Sequence, residues 1–153
     1  MKNPLNECLC YQLQHLTRLL MVRLNDEIRP HGVTQGQLPV LCCLSEADGQ
    51  TQAELCDKIQ VEQPTMANTL RRMERDGLIH RTACEKDKRQ SRIFLTEQTR
   101  PTVETLEKKR DEVIARMTRH MQPKELATFQ RLLTNALQAL ENPEADQSNE
   151  IQE

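Results

Sequence analysis

Residues 51–96 constrain the fold of this chain more than any other stretch. A short helical segment ends at Ile59, a turn follows, and a second helix opens at Pro64 and stops at Gly77. The charged hairpin CEKDKRQSR then lies between two short β-like runs. A helix–turn–helix followed by a basic hairpin is the layout of a module that sets one helix in a DNA groove and grips the backbone beside it. The expectation is a DNA-binding regulator.

Length and composition sharpen this. The 153 residues fit one domain. Aromatics make up 2% and Trp is absent, so the core has to be built from Leu, Ile, Val, Met and Cys. Such a core is lean for an isolated monomer, and two chains sharing one would relieve the shortage. The formal net charge of −2 argues against a nucleic-acid partner until its distribution is read. Residues 71–92 hold eight Lys/Arg against four acids, a local balance of +4, whereas residues 141–153 carry five acids and no base. A basic patch on an acidic body is a usable electrostatic footprint.

The apolar pattern gives the remaining elements. Asn3 and Pro4 suit a helix start, and Leu9, Leu13, Leu16, Leu20, Leu24 and Ile28 recur at spacings of three and four until Pro30 and Gly32. Thr34 with Gln37, and Thr51 with Glu54, have capping-box spacing for a second and a third helix. In the fourth helix Met66, Leu70 and Met73 share one face, and Gly77 is placed to close it. Its other face shows Thr65, Asn68, Thr69, Arg71 and Arg72, with Gln63 at the start, side chains able to reach base edges and phosphates. Residues 78–82 and 91–95 read as two antiparallel strands around a basic tip holding Lys86, Lys88 and Arg89, with Arg92 just beyond. Thr96 is placed to cap a fifth helix with Pro101 in its first turns, and Pro123 to open a last one whose apolar stripe is broad. The fold expected is mainly α with a small two-stranded β-wing. Residues 34–96 would form the DNA-binding part of a single domain spanning 1–141, flanked by dimerisation helices at 4–29 and 97–141. Residues 142–153 read as a disordered acidic tail.

Catalytic and metal chemistry find no foothold. There is no Gly-rich phosphate loop, no His-x-x-x-His and no Cys-x-x-Cys, and His15, His31, His80 and His120 are scattered. No cofactor is expected. No secretory signal and no run of transmembrane length is visible, so the six cysteines read as reduced thiols in the cytoplasm. Cys42, Cys43 and Cys56 read as small core side chains.

Residues 55–96 resemble the MarR family of winged-helix transcription regulators. The similarity rests on ELCDKIQVEQPTMANTLRRMERDGLIHR, then DKR, then Leu95-Thr96, and extends over about residues 9–140. Asp87 and Arg89 match the family's Asp-x-Arg wing motif. Thr99 and Gln60 stand where the family usually has glycine. The resemblance implies a homodimer on a pseudo-palindromic operator. The fourth helix would enter the major groove, Arg89 would reach the minor groove, and Asp87 would hold the wing's basic residue by an ion pair. It also implies an effector pocket between the first, second and fifth helices, for which His15, Arg18, Leu19 and Cys42 are the candidates. Such a pocket suits a small aromatic or phenolic ligand that releases a repressor from DNA. Cys10, followed by Tyr11, is similar to the reactive cysteine of the family's peroxide-sensing branch, although the further tyrosines of that branch are missing. The alternatives are therefore a redox-sensing repressor using Cys10 and a dimeric protein-interaction module without DNA binding.

Replacing Arg89 with Ala is expected to weaken operator binding by roughly 1–3 kcal/mol without changing thermal unfolding. An unchanged titration would remove Arg89 from the interface.

Overall fold

One turn of 3-10 helix, Pro4–Glu7, leads into α1 (Leu9–Ile28) in a computed structural model that describes residues 4–83 and 91–142. The order continues α2 (Leu38–Glu46), β1 (Gln50–Thr51), α3 (Gln52–Ile59), α4 (Gln63–Arg75), β2 (Ile79–Ala83), β3 (Ser91–Leu95), α5 (Arg100–Thr118) and α6 (Pro123–Glu141). The chain divides into two units, Met1–Ile114 and Ala115–Glu153. No helix among the described residues is long and apolar enough to cross a membrane.

In the first unit the core is aliphatic, as the composition requires. Ile28, Leu41, Leu44, Leu55, Leu70, Met73, Ile93 and Leu106 are completely buried, and Met66, Ile79 and Val103 nearly so. Each such side chain contributes about 1.5–3 kcal/mol when taken out of water. Cys56 is buried among them, while Cys42 and Cys43 pack against the cluster half-exposed.

The helix ends follow local chemistry. At Thr51 the capping box is complete: the Thr51 hydroxyl accepts from Glu54 N at 3.3 Å, and Glu54 Oε2 accepts from Thr51 N at 2.7 Å. At Thr34 only the returning half forms. Gln37 Oε1 accepts from Thr34 N at 2.9 Å, but Gln37 sits at the N-cap of α2 and residues 34–37 make a turn. α4 closes in a Schellman motif, with Gly77 at φ 73, Gly77 N donating to Glu74 O and Leu78 N to Met73 O. Gln60, the family's glycine position, holds a left-handed φ of 58, a strain of about 1 kcal/mol.

The sheet departs from the expectation of two strands. Its order is β1-β3-β2, all antiparallel, with Gln50 opposite Ile93 and Thr51 opposite Arg92. Two polar residues carry no alternation, so β1 leaves no periodic signal. Gly49 makes the pairing possible. It stands at φ 76, its N donates to Ile93 O at 2.9 Å, and a Cβ there would meet Phe94 Cε1 at 2.8 Å. On the other side of β3, Phe94 stacks on His80 across the ladder, ring centroids 5.6 Å apart.

Two helix starts also differ. The first helix begins at Leu9, because the chain from Pro4 winds as 3-10 and Cys8 takes the N-cap without a side-chain cap. The fifth begins at Arg100, because the Thr96 hydroxyl is turned to Gly77 O at 2.8 Å and Thr99 O accepts the first helical bond, from Val103 N. Pro101 thus falls in the first turn, where no N–H is needed.

Glycine 49 to Ala is expected to destabilise the protein by more than 1 kcal/mol in chemical denaturation, since it meets both the left-handed φ and the Phe94 ring. Thr51→Ala should lose roughly 0.5–2 kcal/mol of cap stability. The hydrogen bond from Thr51 N holds the Glu54 carboxyl below the usual carboxylate range. Its stabilisation is therefore present above the ordinary Glu pKa of about 4.3 and fades as pH falls through the folded value. Glu54→Gln should be less stable than wild type at pH 7 and converge with it in acid.

Candidate nucleic-acid interface

α4 forms the centre of this surface because its apolar face is spoken for. With Met66, Leu70 and Met73 buried, Gln63, Thr65, Asn68, Arg71 and Arg72 are left exposed and Thr69 half-buried. Pro64 sits in the first turn, where its missing N–H does no harm, and Glu62 occupies the N-cap. Arg71 Nη1 donates to Asn68 Oδ1 at 2.9 Å, so these two side chains are held one above the other along the helix.

The start of α4 is tied to the start of α3. Gln52 Nε2 donates to Gln63 Oε1 at 2.9 Å and lies 3.4 Å from Gln63 O. Gln52 did not emerge from the sequence. The available signal was a glutamine at the first position of each helix of the helix–turn–helix.

Arg92, expected just beyond the wing tip, is exposed. It lies on β3 opposite Thr51, and its Nη1 donates to Gly49 O at 2.7 Å, so the guanidinium braces the base of the sheet. Lys86, Asp87, Lys88 and Arg89 lie outside the described residues.

A second brace is Asp48, also missed, although Asp-Gly is a turn signal. Asp48 Oδ1 accepts from Leu95 N at 3.0 Å and Gly49 N at 3.2 Å, and Oδ2 pairs with Arg100. One carboxylate thus joins the turn before β1, the end of β3 and the first residue of α5. Arg100 also pairs with Glu97 at 3.5 Å.

The candidate effector residues fall into two groups. On α1, Arg18 Nη2 lies 2.8 Å from His15 Nδ1, His15 stacks on Tyr11 at 6.1 Å, and Leu19 is exposed. On α2, Cys42 accepts from Arg110 Nη1 of α5 at 3.4 Å. Burial pushes the Cys42 thiol up, against the opposing pull of Arg110, so it stays protonated at neutral pH. Cys10 is exposed and accepts from Gln14 Nε2 at 3.5 Å. Neither group lines the cavity of about 570 Å³ beside α4, which is bounded by Thr34, Gln37, Thr69, Arg72, Arg75 and Asp76. Arg75 pairs with Asp76 at 2.8 Å and holds that carboxyl below its usual range. Among the described residues no group of three or more His, Cys, Asp or Glu is arranged to hold a metal.

Comparison with known proteins agrees with this geometry. Residues 33–91 match the MarR family. An uncharacterized HTH-type transcriptional regulator of Bacillus subtilis (strain 168), YwoH, is 32% identical over 112 residues, covering 73% of this chain and 76% of the relative. Among solved structures, the S. aureus MepR–DNA complex superposes with a TM-score of 0.81 at 25% identity, covering 86% of this chain and 97% of that one. A MarR-family transcriptional regulator from Silicibacter pomeroyi gives a TM-score of 0.71 at 26% identity, covering 88% and 90%. With the helix–turn–helix, the wing strands and the long helices all in the expected order, the chain belongs to the MarR family of transcription regulators.

Proposed function

We propose that this protein acts in the cytoplasm as a homodimeric repressor that binds a pseudo-palindromic operator and is released by a small anionic aromatic ligand. The observation that carries the DNA reading is the division of α4. One face is sealed into the core, and the outer face exposes the amide, hydroxyl and guanidinium groups of Gln63, Thr65, Asn68, Arg71 and Arg72, with Pro64 the one exposed apolar side chain of the helix. That is the composition of a helix that reads base edges and phosphates. The solved MepR complex, with DNA bound, shares the fold.

The dimer is supported by apolar surface left over in the single chain. Leu9, Leu13, Leu19 and Val22 of α1 are exposed, as are Leu132, Leu133, Leu137 and Leu140 of α6, where no residue is buried. The exposed apolar side chains on each of these helices, taken separately, are what a second copy would cover.

The His15–Arg18 pair on α1 supports the ligand trigger, since imidazole and guanidinium beside Leu19 suit a phenolic carboxylate. Release requires that the ligand prefer a spacing of the two recognition helices that no longer fits the DNA. Exposed Cys10 offers oxidation as the rival trigger.

Titration of the full-length protein against duplex DNA should show specific affinity that falls steeply with salt. Arg72→Ala should weaken it by roughly 1–3 kcal/mol. Salt-independent affinity, or equal affinity for scrambled duplex, would end the operator reading. In sedimentation, deleting residues 123–153 should abolish the dimer and deleting 144–153 should not. A soluble monomer with intact DNA affinity from the longer deletion would overturn the shared core. Cys10→Ser separates the triggers: it should still release DNA with a phenolic carboxylate, and wild type should ignore peroxide. Release of wild type but not the variant by peroxide would reverse the choice.

A further inference from the structure

Gln52 and Gln63 open the two helices of the helix–turn–helix. The Gln52 amide nitrogen sits 2.9 Å from Gln63 Oε1 and 3.4 Å from the Gln63 main-chain oxygen. A main-chain carbonyl can only accept, so the Gln52 atom facing it has to be the NH₂ group. The Gln63 atom that meets this donor is then its oxygen. The orientation of the Gln63 amide, which is free to flip on an ordinary exposed glutamine, is thereby chosen by its neighbour.

An amide held this way keeps one lone pair on Oε1 and both hydrogens on Nε2. It therefore presents an acceptor and a donor side by side on an exposed residue at the first position of α4. The first turn of the recognition helix is where base edges are contacted in a helix–turn–helix. Of the four bases only adenine offers the matching pair in the major groove, the N6 donor and the N7 acceptor. Guanine shows two acceptors, cytosine a donor, and thymine an acceptor with a methyl group.

We propose that Gln63 reads an adenine in each operator half-site and that Gln52 is the positioning residue that sets its amide for that base. This rests on the operator reading above and adds the base identity and the residue that enforces it. Gln52 is half-buried, so it acts through Gln63.

The test uses the full-length protein and a site enriched from a random duplex pool. The expected site carries A·T at a symmetric position in each half. Replacing that adenine with 7-deazaadenine, which lacks the N7 acceptor, should weaken wild type roughly tenfold, within the range of a lost bidentate contact. Gln63→Ala should bind the natural and 7-deaza sites equally. Gln52→Ala should keep wild-type thermal stability and affinity for scrambled DNA, yet narrow the adenine preference several-fold at that one position. A purely structural bond between α3 and α4 would instead shift stability and leave base preference alone. Wild type indifferent to 7-deazaadenine at every adenine of the enriched site would overturn the proposal while leaving the operator reading intact, and so would full adenine preference in either variant. Failure to enrich any site, with no salt-dependent duplex binding, would overturn the operator reading and this inference with it.

Discussion

The burial of Met66, Leu70 and Met73 governs everything else on the functional face. These three side chains lie on one stripe of α4, and all are removed from water. Turning the helix by a single position would expose them and bring Arg71 or Arg72 toward an aliphatic core with nothing to pair it. Burying an unpaired guanidinium in such a core costs far more than the lost apolar contacts. The rotation of α4 about its axis is therefore set from the inside. The outward display of Gln63, Thr65, Asn68, Arg71 and Arg72 is a consequence of core packing.

The position of α4 along the chain is set by its two ends. Gly77 and Leu78 return to Glu74 and Met73, so the chain reverses into β2 within two residues. At the other end Glu62 takes the N-cap and Pro64 opens the first turn, where the Gln52 amide meets Gln63. The base of the wing is held by a different device. Gly49, Asp48 and Arg92 bind β1 to β3, and Asp48 continues the connection to Arg100 at the head of α5. A single carboxylate with three partners in separate elements limits how the sheet can tilt against α5.

Electrostatics divide along the same lines. The overall charge is slightly negative, yet the exposed face of α4 carries guanidinium groups next to amides. The three cysteines at or against the core are chemically quiet. Cys56 is buried, and burial pushes the Cys42, Cys43 and Cys56 thiols up, which disfavours thiolate chemistry at those positions.

Periodicity and capping were legible without a structure. The stripe of Met66, Leu70 and Met73, the Thr51–Glu54 box, the Gly77 stop and the strand run over 91–95 are each local, because helix phase, cap geometry and strand propensity depend on residues close in sequence. The aliphatic core followed from composition. What the tertiary structure alone decided involves partners far apart in sequence. β1 exists because Gly49 lets two polar residues reach β3, and Arg92 turns to Gly49 because that carbonyl is brought beside it. Thr96 left its capping role for Gly77 O, which lies nineteen residues away. Asp48 met Leu95 and Arg100 across about fifty positions, and Gln52 met Gln63 only once two helices had packed. Polar side chains of this kind carry no periodic signal, since their partners are chosen by the fold after the apolar residues have settled it.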